Sequence, residues 1–386
     1  MKNLIRQLPF ILLIFVSFNV LAQESYSISG TVIDEKREPM PGVTIFISGS
    51  QQITATDKDG RFTFSGMKAG NYSLSVKMLG YSAPSQTVVI HDKSVDISFA
   101  LEVKSIVLNE VKIGANKNRE RYYAIFKDQF LGTSDNARNC VILNPEIINF
   151  NGQKIAGDNI ILKAGADDFL IIENEQLGYR IKYLLKTFEY NSVKQLTYYD
   201  GDNSFEELEG TDKQKKTWAQ NRLTAYNGSM MHFLRSVFAN TVADEGFIAS
   251  KMYKSSNLYD QKVYTDPNPV KFDDAVTVID SSFISLKIKA LNIIYNPKKA
   301  ARLKDDEIKE QQKPTDTQAE ASTNETDFVT LNQSKKDSQL RLYLKEAIID
   351  ARGSVPAGTF LIRGEWATKR IGDQLPFEYA PPKPID

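Results

Sequence analysis

Few side chains in this sequence are placed to do chemistry. The chain holds one cysteine, Cys140, and two histidines, His91 and His232. One cysteine makes no intrachain disulfide, and two histidines exclude a His-rich metal site. The serine-hydrolase elbow G-x-S-x-G, the phosphate loop and the dinucleotide fingerprint are all missing from the sequence. Cys140 has Arg138 nearby, but Val141-Ile142-Leu143 follow it, which predicts a buried small hydrophobe rather than a nucleophile. Asp57 and Asp59 open like a calcium loop, yet Arg61 and Lys68 stand where further ligands belong, so a hairpin turn is expected. Glu206, Glu207 and Glu209 form an acidic cluster. With Glu189 they are the carboxylates from which a hydrolase of glycan or peptide would draw its acid–base pair. A solvated edge is the preferred reading of the cluster.

The best candidate for a binding face is Arg180, Tyr183, Trp218, Arg222, Tyr226, His232 and Arg235, with Lys182 and Asn221 beside them. Trp218, Arg222 and Ala225-Tyr226 recur at i, i+4 and i+7/i+8, on one side of a helix. Such a face holds a sugar by stacking or a carboxylate by arginine pairing. The same spacing also describes a helix packed into a core, with Trp and Tyr buried and Arg stems laid along the surface, and that is the preferred reading. His232, between Met231 and Phe233, is expected to be a satisfied, partly buried histidine. No catalytic residue, metal ligand or cofactor site is assigned.

The elements that carry these residues follow from pattern. The chain has 386 residues, 41% apolar, 25% charged and 10% aromatic, with Lys+Arg and Asp+Glu both 48. This is globular material for two or three domains, and its zero net charge gives no general attraction to nucleic acid. Lys2 and Arg6 precede an apolar run, Leu8 to Val20, and Val20-Leu21-Ala22 offers a cleavage site. A signal peptide over 1–22 is expected, with the mature protein exported to the periplasm or cell envelope and without a membrane span.

From 25 to 101 about seven strands recur at short, regular spacing: Ser27–Ile33, Val43–Ile47, Gln51–Thr56, Arg61–Phe64, Gly70–Lys77, Ser85–Ile90 and Val95–Leu101. With no helical period between them they predict an antiparallel β-sandwich. The runs GTVIDEKREPMPGVTIFI, TATDKDGRFTF and AGNYSLSVKMLGY resemble the carboxypeptidase regulatory-like domain, a transthyretin-like sandwich. The resemblance rests on Gly30, Asp34, Pro41, Gly42, Val43, Thr56, Asp57, Asp59, Gly60, Phe62, Gly70, Tyr72, Gly80 and Tyr81. It implies a structural or interaction module, one found on peptidases, outer-membrane receptors and exported proteins. The peptidase itself is not implied. A zinc carboxypeptidase needs H-x-x-E, and His91 and His232 are followed by Asp-Lys-Ser and Phe-Leu-Arg.

Beyond a connector at 103–117, Asn118–Phe130 reads as a helix stopped by Gly132, and Ser134 caps a short second one. Strand signals fill 159–209, with a turn at Asp200-Gly201-Asp202. Helices follow from Thr211 to Tyr226 and from Ser229 to Asn240, and Gly246 opens a strand. The pieces RERYYAIFKDQFLGTS, ILNPEIINF, LGYRIKYLLKTFEY, FEELEG, WAQNRLTAYNGSMMHFLR and GEWATKRIGDQLPFEYAPP resemble the region after this module in exported carboxypeptidase-like regulatory domain-containing proteins. That resemblance implies an architecture and no reaction. The polar segment 300–338 reads as a disordered insert between strands at 282–296 and 339–353.

The fold expected is therefore β-rich α+β: an N-terminal seven-stranded sandwich (23–102), a mixed domain (118–299) and C-terminal strands completing it (339–386). The function expected is non-enzymatic binding or scaffolding in the envelope, with another envelope protein, a peptide or a polysaccharide as partner. The alternatives are the hydrolase and an accessory protein of an outer-membrane receptor.

Overall fold

The computed structural model describes residues 25–104, 118–254, 263–311, 329–330, 337–356 and 358–382. The expected signal peptide, most of the connector and most of the polar insert lie outside them. Among the described residues no helix is long and apolar enough to cross a membrane.

Seven N-terminal strands form as expected: Tyr26–Asp34 (β1), Thr44–Ile47 (β2), Ile53–Ala55 (β3), Arg61–Met67 (β4), Gly70–Lys77 (β5), Ser85–Ile90 (β6) and Val95–Leu101 (β7). They make two sheets, ordered β4-β1-β7 and β3-β2-β5-β6. The period of two sends Phe62 and Phe64 of β4, and Ile97 and Phe99 of β7, into one core with Leu74, Val76 and Ile90 from the other sheet. One expectation fails. The strands are not all antiparallel, because β1 and β7 run parallel, from Ile28↔Val95 to Asp34↔Leu101. Chain alternation reveals which face of a strand is buried; it carries no information on strand direction. Asp57 does build a hairpin turn: its Oδ1 accepts from the amides of Asp59 (2.9 Å) and Arg61 (2.8 Å).

Helices Arg119–Leu131 (α1) and Asp135–Arg138 (α2) lead into a second sheet. Its strands are Cys140–Ile142 (β8), Ile148–Lys154 (β9), Ile160–Ala166 (β10), Phe169–Asn174 (β11), Tyr179–Asn191 (β12) and Leu196–Glu207 (β13). β12 is the spine. It pairs with β13 along one edge and with β11, then β10, along the other. α1 lays Phe126 on Phe188 and Phe130 on Tyr183, with ring centroids 4.8 and 4.9 Å apart. The turn expected at Asp200–Asp202 is instead the middle of β13, opposite a register shift at Leu185/Thr187. Gly201 allows this: a Cβ there would lie 2.2 Å from the Leu184 carbonyl oxygen. Cys140 is fully buried in β8, and burial pushes its thiol up to about 12.

Asp212–Tyr226 (α3) opens with a capping box between Thr211 and Gln214, and Ser229 caps Met230–Ala239 (α4). The remaining strands are Phe247–Lys254 (β14), Val263–Thr265 (β15), Val276–Val278 (β16), Phe283–Leu286 (β17), Ala290–Tyr295 (β18), Val329–Thr330 (β19), Ser338–Leu342 (β20), Ala347–Asp350 (β21) and Phe360–Gly364 (β22), with a short helix Phe272–Ala275 (α5). They form a sheet ordered β19-β15-β14-β18-β20-β22 and a smaller one, β16-β17-β21. Phe233, Phe247, Phe272 and Trp366 meet in their shared core. The polar segment begins differently from the loop expected of it: Pro297–Gln311 is a helix (α6). Pro at its first position and a run of Ala, Lys, Arg, Glu and Gln supply helix propensity without supplying a core.

Candidate functional site

Helix α3 lies across the turn between β11 and β12, and its face recognises that turn. Trp218 Nε1 donates to the carbonyl of Glu175 (2.8 Å), Asn221 Nδ2 to that of Gln176 (2.8 Å), and Arg222 to those of Leu177 (2.7 Å) and Gly178 (3.1 Å). Four successive carbonyls are met by three side chains of one helix face. The Arg222 guanidinium also lies 3.8 Å over the Tyr179 ring and pairs with Glu207 at 2.8 Å. Gly178 has φ +67°, and a Cβ on it would stand 2.2 Å from the Trp218 indole.

The other candidates divide into three places. Tyr226, His232 and Arg235 come together: the His232 ring stacks 4.7 Å from Tyr226, and the Arg235 guanidinium lies 5.5 Å from the same ring. Arg235 donates to the carbonyls of Arg352 (3.0 Å), Phe377 (3.0 Å) and Tyr379 (2.8 Å). His232 Nδ1 accepts from the Gly228 amide (3.1 Å), its Nε2 meets Glu245 (3.0 Å), and burial holds its pKa below the usual histidine value. Arg180 sits on β12 beside Glu173 at 2.6 Å, with Lys182 next to Glu206 at 3.2 Å. Tyr183 is buried beneath them, its hydroxyl pKa pushed well up by burial. The carboxylates proposed for hydrolysis do not converge. Glu189 pairs with Lys163 (3.4 Å), Glu206 with Lys182 and Glu207 with Arg222. Glu206 and Glu207 are adjacent on β13 and therefore point to opposite faces. Glu189 is nine residues along β12 from Arg180, the register partner of Glu206, or about 30 Å at strand rise.

A different site appears where the N-terminal strands meet the rest of the chain. The segment after β2 adds to the free edge of β13. The Gly49 amide donates to Asn203 O (2.8 Å), the Phe205 amide to Ser50 O (2.9 Å), and the two chains run parallel at Ser50↔Ser204. Phe46, buried on the outer face of β2, packs on Phe169 of the second sheet at 5.6 Å. At the far end Asp350, fully buried, accepts from the Asn71 amide (3.0 Å) and pairs with Arg352 at 2.7 Å. Arg352 donates to the Asn71 carbonyl and lies 3.9 Å over the Tyr72 ring. Between these two seams lies a cleft of about 570 Å3.

The roof of the cleft is the outer face of β5 and β6, offering Asn71, Ser73, Ser85 and Thr87; its floor includes Tyr199, Asp202 and Asn203 of β13. Lys186 crosses it, donating to Ser85 Oγ (2.6 Å) and pairing with the buried Asp202 (2.6 Å). The C-terminal segment forms a wall. There Asp373 accepts from Ser134 Oγ (2.5 Å) and Asn136 Nδ2 (3.0 Å), and burial raises its carboxyl above the usual range. Sequence reasoning missed this site, since its residues come from opposite ends of the chain. One signal was present. On the outer face of β5 and β6, Asn71, Ser73, Ser75, Ser85 and Thr87 are small and uncharged where a solvated face usually carries charge, with Lys77 and Val89 at the ends of the two rows.

Residues 28–113 match the family model of the CarboxypepD_reg-like domain. The N-terminal strands are a carboxypeptidase regulatory-like domain. This regulatory-like domain therefore contributes the roof of the cleft. Likeness to solved structures is partial. The minor pilin GBS52 of Streptococcus agalactiae is 17% identical with a TM-score of 0.19, covering 22% of this chain and 46% of the pilin. The 3-chlorocatechol 1,2-dioxygenase of Rhodococcus opacus is 10% identical with a TM-score of 0.19, covering 22% of this chain and 61% of the enzyme. A type II cohesin–X-dockerin complex from Acetivibrio cellulolyticus is 18% identical with a TM-score of 0.20, covering 28% of this chain and 76% of the matched one. No curated protein matches the chain.

Proposed function

We propose that this chain is an exported, non-enzymatic cell-envelope protein that binds or scaffolds a partner at the junction of its parts. In this reading an N-terminal β-sandwich is followed by a mixed α+β domain with a polar insert over 300–338, and the signal peptide 1–22 directs export. One observation carries it: a cleft of about 570 Å3 stands between the regulatory-like domain and the remainder, within the size range of ligand pockets. Fixed contacts on both sides hold it open, so the geometry suits holding a ligand. The ionisable groups around it support binding over bond-breaking, because Lys186 with Asp202, and Asp373 with Ser134, are already engaged with the chain's own partners.

The test is affinity capture from native envelope extracts. The mature chain is compared with Thr87→Trp, which fills the cleft from an exposed position on β6. Material retained by the first and lost by the second supports the reading. Identical retention by both, in a Thr87→Trp chain with an unchanged circular dichroism spectrum, sinks it.

A further inference from the structure

We propose that the junctional cleft takes a short neutral glycan. This rests on the reading of the cleft as the binding site and adds the class of ligand. The first argument is charge. Lys186 faces Asp202, Lys369 faces Glu365 at 2.6 Å, and Arg370 donates to the carbonyls of Gln129 and Ala367. Asp373 is held by Ser134 and Asn136. Asp200 adds one more carboxylate to the lining, which weighs against an anionic ligand. The cations on the lining are thus engaged with groups of the chain itself.

The second argument is the roof. Asn71↔Val89, Ser73↔Thr87 and Ser75↔Ser85 pair across β5 and β6, and the backbone groups of Asn71 and the Ser73 carbonyl are taken by Asp350, Arg352 and the Ser48 amide. A peptide lying flat on this face, away from the free edge of β6, would meet side chains and not main chain. What the face presents is side chains that both donate and accept: the Asn71 amide and the hydroxyls of Ser73, Ser85 and Thr87. The Asn71 Nδ2 is buried and has no hydrogen-bond partner among the described residues. Sugar hydroxyls, themselves donors and acceptors, complement such an array. The third argument is the apolar part of the lining, where Met230, Met231, Ile362, Trp366 and Phe377 stand. It gives the C–H face of a pyranose a surface to lie on.

Isothermal titration of the full mature chain tests this. The neutral probes are cellobiose, maltose and the N-acetylglucosamine disaccharide. The comparators are digalacturonate and a neutral Ser/Gly/Ala hexapeptide. The expected result is binding of at least one neutral disaccharide, lost in Thr87→Trp and unchanged in Thr63→Trp, an exposed position on the opposite sheet. Asn71→Ala is expected to weaken it about tenfold, one hydrogen bond's worth of affinity. Binding of digalacturonate or the hexapeptide alone, blocked by Thr87→Trp, overturns the glycan and keeps the cleft as a site. Glycan binding that survives Thr87→Trp overturns the location. No binding of any neutral disaccharide overturns the proposal itself.

Discussion

Arg222 and Arg235 show the same use of a guanidinium at two places. Each sits over a tyrosine ring and spends its fork on backbone carbonyls, Arg222 on a turn and Arg235 on the C-terminal segment. Residue types suited to seizing a ligand hold the chain itself. His232 belongs to the same cluster, and its pKa is held below the usual histidine value. Burial lowers its pKa against the opposing pull of Glu245, with Arg235 reinforcing burial. The folded state then binds this proton less tightly than the unfolded chain. Stability is complete above about pH 6.5, the unfolded value, and falls as pH drops through the window beneath it. Melting temperature is expected to decline between about pH 7 and pH 5. His232→Gln, which keeps a polar side chain without the titration, is expected to flatten that slope in differential scanning fluorimetry. An unchanged slope would remove His232 as its source.

At the scale of elements, the turn 174–178 and α3 depend on each other. Gly178→Ala places a methyl group against the Trp218 indole at a positive φ. It is expected to destabilise the protein by about 1–3 kcal/mol. Urea denaturation followed by tryptophan fluorescence reads the loss, and an unchanged midpoint contradicts the packing described. The helices Arg119–Leu131, Asp135–Arg138, Asp212–Tyr226 and Met230–Ala239 were readable because their ends are written locally: Ser134, Thr211 and Ser229 cap three of them, Gly132 and Gly228 follow two, and Asn240 ends the last at positive φ. The strands of the regulatory-like domain were readable from alternation. Other features were not, the helix Pro297–Gln311 in a segment that reads as a loop among them. The parallel β1–β7 pair depends on a crossover, which no local pattern encodes. The unbroken β13 hides its bulge partner behind an Asp-Gly-Asp that also spells a turn. The face of Trp218 and Arg222 has the right residues for a ligand, but only tertiary structure shows the turn that occupies it. The cleft was hidden for the same reason, since Asn71 and Asp373 meet only after the whole chain has folded.

For the whole molecule, the deciding contact is the buried ion pair between Asp350 and Arg352, wedged against Asn71 and Tyr72. It ties the third part of the chain to the first. Asp350→Asn leaves the Arg352 guanidinium with no counter-charge in a partly buried site, a loss of about 3–5 kcal/mol. Calorimetry of the parent is expected to give one transition, and that of the variant two, the regulatory-like domain melting apart from the remainder. A single transition at the parental temperature would show that the seam contributes little. The tail has a further role. The Gly372 carbonyl is taken by Asn174, the Phe377 amide by the Gly49 carbonyl, and Ile371 and Leu375 lie in the core of the second sheet. A ribosome makes these residues after the parts they join. Every nascent chain thus passes through a stage in which its opening module is finished while its middle still waits for the closing stitches, and premature termination would leave it unsewn.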